Sequence, residues 1–128
     1  MLYFSIISLL IFFILLIPLQ AEEIGDNLYL TNLSFENNKG LISVKICCEN
    51  KSDSTVNLKL VFEVKKIGKS GSIKTYQSQN LSIKPSENVC RLRNIFSIEK
   101  EDSYILRLFL IKDDNVIFTK EINSKDFS

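Results

Sequence analysis

Cys47, Cys48 and Cys90 are the side chains of this sequence best suited to covalent chemistry. A disulfide, a soft-metal site and a thiolate nucleophile each require a different neighbourhood around them. The chain has no histidine, so a nucleophile lacks its commonest base and a zinc site its commonest nitrogen ligand. Lysine could act as a base, but it stands in polar surroundings such as Lys65-Lys66 and Lys112. The carboxylates fall in turn-like runs, at Asp53, Asp113-Asp114-Asn115 and Glu99-Lys100-Glu101-Asp102. None of these has the spacing of a calcium loop. Gly68 and Gly71 lie between two strand patterns rather than ahead of a helix, so they do not form a phosphate cradle. The expectation is a protein that is not an enzyme, with no cofactor and no metal.

Charge and hydropathy place those residues in context. The 128 residues carry a net charge of +1 and are 45% apolar. Near-neutrality excludes non-specific nucleic-acid binding and polybasic attachment to anionic lipid. The apolar residues are unevenly distributed. Residues 1–21 contain no charged side chain, 2–17 are almost continuously apolar, Pro18 breaks the run, and Ala21 precedes Glu22-Glu23. This is the pattern of a signal peptide cleaved after Ala21. An uncleaved anchor is the alternative, because the run is just shorter than a bilayer span. Residues 22–128, about 38% apolar, then form a single exported domain with one core.

Export would place the cysteines in an oxidising compartment. Alternation along the run from Ser43 to Cys48 puts Val44, Ile46 and Cys48 on one face and Ser43, Lys45 and Cys47 on the other. Cys90 and Leu92 share a face, while Arg91 and Arg93 point away. Cys48 and Cys90 are therefore the expected disulfide, worth about 4 kcal/mol by loop-closure entropy, with Cys47 left as an outward thiol. Three reduced cysteines are the alternative.

Period-two patterning runs through the whole domain. Tyr29, Thr31, Leu33 and Phe35 alternate with polar positions, and Leu41 to Glu49 reads as a second strand. Val56, Leu58, Leu60, Phe62 and Val64 face a core with Asn57, Lys59, Glu63 and Lys65 outward. Residues 73–79, rich in Ser, Thr and Gln, read as a polar strand near an edge. Residues 81–83, 89–96, 103–112 and 116–122 complete the set. Seven or eight such strands make an all-β antiparallel β-sandwich, Ig/fibronectin III-like in architecture but without the Ig tryptophan; a small closed barrel is the alternative. One strand is apolar on both faces. Tyr104, Leu106, Leu108 and Leu110 occupy one side, and Ile105, Phe109 and Ile111 flank Arg107 on the other. That second face is either covered or a contact surface.

The run from Glu63 through Gly68-Lys69-Ser70-Gly71 to Gln77 and Gln79 resembles the central hairpin of the CsgH-type curli accessory proteins. The stretch from Asp102 through Tyr104 to Asp114-Asn115-Val116-Ile117 is similar to their closing hairpin. The likeness covers about half the exported domain, with Asn115 where glycine is usual and Ser86 where glycine is expected before Glu87. It implies a periplasmic sandwich, with extracellular or membrane-anchored placement as alternatives, and membrane contact only through a retained leader. It also implies a partner, a curli-type amyloid subunit kept soluble before secretion. The expected contact residues are Thr75, Gln77 and Gln79 on the polar edge, or Ile105, Arg107, Phe109 and Ile111 on the apolar face. A generic exported interaction or surface-assembly module is the competing expectation.

Overall fold

In the computed structural model, which describes residues 21–127, the alternation becomes two packed layers. All but the last residue of the expected leader lies outside the described residues. The pattern is cleanest in β4, Val56–Gly68, where Val56, Leu58, Leu60, Phe62 and Val64 are all buried. Flanked by β5 (Gly71–Ile83) and β7 (Ser103–Lys112), with β8 (Asn115–Asn123) beyond, it forms a sheet of order β5-β4-β7-β8. The second sheet has the order β1-β2-β3-β6, from β1 (Glu22–Gly25), β2 (Leu28–Asn38), β3 (Leu41–Asn50) and β6 (Asn88–Ser97). Every pairing is antiparallel. The protein is therefore an eight-stranded β-sandwich, and two separately bonded sheets replace the barrel alternative. The short β1 was not legible as a strand, and β5 runs through Asn80 as one element.

Burial of the facing apolar side chains is what joins the layers. Leu28, Ile42, Val44 and Ile46 of one sheet meet Leu60, Phe62, Leu106, Leu108 and Leu110 of the other. Each such side chain contributes about 1.5–3 kcal/mol on leaving water. Between β7 and β8, Asp113 and Asp114 both adopt positive φ, 51° and 62°. A two-residue turn of that hand matches the strand twist.

Bulges distinguish the edge strands from one another. The ladders skip Ile24 in β1, Ile95 in β6 and Ile117 in β8. Each extra residue is an isoleucine packed in or against the core, so each bulge turns an apolar side chain inward and bends the edge around it. A fourth bulge at Thr31 in β2 switches the inward set from Leu28 and Leu30 to Leu33 and Phe35. Tyr29 and Thr31 therefore do not share the face of Leu33 and Phe35. Simple alternation fails there because one unpaired residue reverses every position beyond it.

The disulfide differs from expectation. It joins Cys47 to Cys90 across 43 residues, and Cys48 is the free thiol, fully buried. In the β3–β6 ladder Cys47 stands directly opposite Cys90, whereas Cys48 opposes Val89 and points into the core. Leu92 shares the outer face with Cys90 and is 68% exposed. The core orientation expected for Cys90 and Leu92 is thus reversed, because β6 is an edge whose inward positions include Val89 and Arg93.

Asn50 closes one end of the sandwich. Its buried side chain donates through Nδ2 to the carbonyls of Ser54 (2.8 Å) and Ile83 (3.0 Å), and its Oδ1 accepts from the Ser52 amide (2.9 Å) and hydroxyl (2.6 Å). Its backbone also exchanges bonds with Glu87 and Ser86. One side chain thereby ties the β3–β4 loop to the end of β5 at Ile83. At the other end the Glu99 amide donates to the Tyr104 hydroxyl at 3.0 Å, and the Tyr104 ring stacks on Phe96 with centroids 5.0 Å apart. Replacing Asn50 with alanine strands several buried polar groups, so Asn50→Ala is expected to lower unfolding free energy by about 3 kcal/mol in urea titration.

Candidate functional site

Among the described residues, three of the four edge strands are bulged, and the fourth, β5, is not. Its register with β4 runs from Val56↔Ile83 to Gly68↔Gly71 without a shift. Thirteen residues of extended backbone therefore present one free row of N–H and C=O groups. Among the described residues no strand pairs with that outer edge. The strand holds no proline and one charge, Lys74. Gly71, at φ 124° with open space around it, supplies the turn conformation that starts it.

The expected contact residues divide into two groups on this sheet. Thr75, Gln77 and Gln79 lie along β5, and Thr75 is exposed. The two glutamines are engaged inside the domain. Gln77 Nε2 donates to the Ile95 carbonyl of the opposite sheet at 2.7 Å. Arg93 donates from Nε to Gln77 Oε1 at 3.0 Å and from Nη1 to Gln79 Oε1 at 3.3 Å. These bonds latch the two sheets together along their open side. The half-buried Arg93 head thus finds neutral amide acceptors on the facing sheet. The glutamine side chains are therefore not a free ladder for a partner, and what the edge offers is its main chain, Thr75 and the exposed Ile73 and Tyr76.

Ile105, Arg107, Phe109 and Ile111 lie two strands away, on the outer face of β7. Ile105, Phe109 and Ile111 are half-buried and Arg107 is exposed. A row of alternating charge crosses this face. Glu63 Oε1 lies 3.9 Å from Lys74 Nζ and 3.6 Å from Arg107 Nη1, and Arg107 Nε lies 3.5 Å from Glu121 Oε1. The register places Tyr76, Glu63, Arg107 and Glu121 in line over four strands. Glu63 is only 8% exposed, so the flanking cations offset the cost of burying its carboxylate. The Arg107 contact is thus spent inside the sheet, and a shallow hollow of about 230 Å³ lies beside it, lined by Phe109, Thr119 and Lys120 among others. Lys74, Tyr76, Glu63, Glu121 and Arg93 were not singled out from sequence. Only Tyr76, a lone aromatic in a polar strand, left a signal that could have been read.

Neighbouring groups hold the base of the edge in place. Lys66 Nζ lies 3.2 Å from Asp102 and 3.4 Å from Glu99, and the Asp102 hydrogen bond is the main cause of its raised pKa. A Cβ on Gly68 would come within 2.8 Å of Asp102 Oδ1, so glycine lets the β4–β5 hairpin pack against the β6–β7 loop. Among the described residues no group of histidine, cysteine, aspartate or glutamate is arranged to hold a metal.

No family model matches the chain, and neither does any curated protein. Solved structures do. β-Glucuronidase 2 of Bacteroides uniformis, in its D341A D367A mutant form, aligns at 12% identity with a TM-score of 0.54, covering 77% of this chain and 13% of that enzyme. A crystal structure of Bacteroides uniformis β-glucuronidase gives 12%, 0.53 and the same coverage. This chain therefore matches only a small part of those enzymes, and the likeness is one of fold: a β-sandwich domain. The solution structure of R. palustris CsgH aligns at 17% identity over 72% of this chain and 86% of that one, with a TM-score of 0.40.

The cysteines generate a direct test. Without reductant, denatured protein should take up one alkylating group, on Cys48, and three after reduction. Cys47→Ser with Cys90→Ser should cost about 4 kcal/mol in urea titration. Burial pushes the Cys48 thiol up from 9.0 to about 11. The unfolded chain therefore releases this proton first as pH rises. The thiol's contribution is complete below pH 9 and declines between 9 and 11, by about 3 kcal/mol in all. Cys48→Ala should remove that part of the alkaline decline.

Proposed function

We propose that this domain is a non-catalytic β-sandwich module that binds an extended polypeptide by adding it as a strand to β5. The observation that carries the reading is the free, unshifted thirteen-residue edge on a domain whose other edges are all bulged. Main-chain bonding supplies affinity in such a contact, and side chains at alternate positions supply selectivity. Here those positions are Thr75 on one side and Lys74 and Tyr76 on the other. The resemblance of the hairpins to CsgH-type proteins nominates the partner as a curli-type amyloid subunit, held soluble before secretion, with the domain exported to the periplasm. An extended amyloid-forming segment exposes the same unpaired backbone groups that β5 does, and capping one with the other delays growth.

The expected result is that full-chain protein, added substoichiometrically to a polymerising curli-type subunit, lengthens the lag before thioflavin fluorescence rises. Successive N–H groups of a strand point to opposite sides. Of Thr75→Pro and Tyr76→Pro, therefore, one blocks the outer edge while leaving the ladder to β4 intact, and that folded variant should lose the effect. An unchanged lag with wild-type protein overturns the assignment of partner. Equal activity of the folded proline variant overturns the assignment of edge.

A further inference from the structure

An edge fit to receive a foreign strand is also fit to receive its own kind, unless something prevents it. Natural sheets prevent self-pairing with bulges, prolines, inward charges or short strands. The strands β1, β6 and β8 each carry a bulge, and β1 is also only four residues long. Strand β5 has no bulge, no proline and a single charge. Two of the five exposed large hydrophobic side chains among the described residues, Ile73 (64%) and Tyr76 (63%), lie on this one strand.

We propose that β5 pairs with β5 of a second copy of this chain, antiparallel about a two-fold axis through Thr75, and that this self-pairing closes the docking edge until a partner competes for it. The inference deepens, and rests on, the reading of β5 as the contact edge. The axis position follows from charge. An axis through Lys74 would set lysine against lysine. Through Thr75 it sets Lys74 of each copy opposite Tyr76 of the other, so the strand's only cation lies beside its only aromatic ring, twice. The geometry favours that contact, because Lys74 and Tyr76 both project from the outer face, where Glu63 already holds the ammonium at 3.9 Å. The same register sets Ile73 opposite Gln77, covering an exposed aliphatic side chain with the methylenes of a glutamine whose amide is fixed by Arg93 and Ile95. Backbone pairing then extends over residues 71–79, and the two four-stranded sheets become one of eight strands.

Sedimentation velocity of the full-chain protein tests this. The weight-average mass should rise toward that of a dimer between about 10 μM and 1 mM. Tyr76→Lys puts four lysines around the axis and should weaken association at least about tenfold. The double variant Lys74→Glu with Tyr76→Lys replaces both cation–ring contacts by ion pairs in this register alone, and should restore the dimer. Both positions are on the outer face, and circular dichroism is used to check that each variant folds. A wild type that stays monomeric at 1 mM overturns the proposal, and so does a double variant that fails to reassociate. Measuring delay of the curli-type subunit on the same samples separates the two readings. Delay by a monomeric wild type removes only the self-pairing, whereas a dimer that never delays fibre growth removes the partner and keeps the self-pairing.

Discussion

The unshifted ladder between β4 and β5 is the constraint on which the functional surface depends. Its thirteen register pairs keep the two strands extended from the Asn50-braced end of the sandwich to the Gly68–Gly71 turn. A bulge anywhere along it would turn the outer backbone row away, as happens on the other three edges. The inner half of the same ladder carries Leu58, Leu60, Phe62 and Val64 into the core. The burial that stabilises the fold therefore also keeps the edge straight, and the two cannot be altered independently.

Polar groups do the remaining positioning, and each is placed where apolar packing could not reach. Asn50 satisfies loop carbonyls and amides at one end, where aliphatic side chains would leave them bare. Arg93 with Gln77 and Gln79 bridges the open side between β5 and β6. The row Lys74, Glu63, Arg107 and Glu121 holds the outer face of four strands in line. Exposed ion pairs are individually weak, but Glu63 is largely shielded from water, and the row fixes the register of its neighbours more than it adds to stability. The disulfide complements these by fastening the bulged edge strand β6 to β3.

Much of the fold was legible in the sequence because a strand facing a core must alternate. Residues 56–64 and the Tyr104, Leu106, Leu108, Leu110 series showed their buried faces directly. Thr31 and Ile95 marked the limit, since a bulge has no reliable local signature and reverses every inward and outward assignment beyond it. Cys90 was assigned to the wrong face for a different reason: on edge strand β6 the apolar Leu92 points out and Arg93 points in, which inverts the local polarity signal, so Cys48 was chosen in place of Cys47. The polar character of β5 and its place at an edge could be read from composition. The engagement of Gln77 and Gln79 could not, because their partners lie on β6 in the other sheet.

Sequence alone thus determined the fold class, the burial of β4 and β7, and the absence of any histidine-based chemistry, all of which follow from residue type and local period. Tertiary structure decided which cysteines pair, that Gln77 and Gln79 are engaged across the sheets, and which of the four edges among the described residues is left unprotected. Those are properties of register between distant segments. A single residue's shift in pairing exchanges the two faces of a strand, and no window of local sequence contains that information.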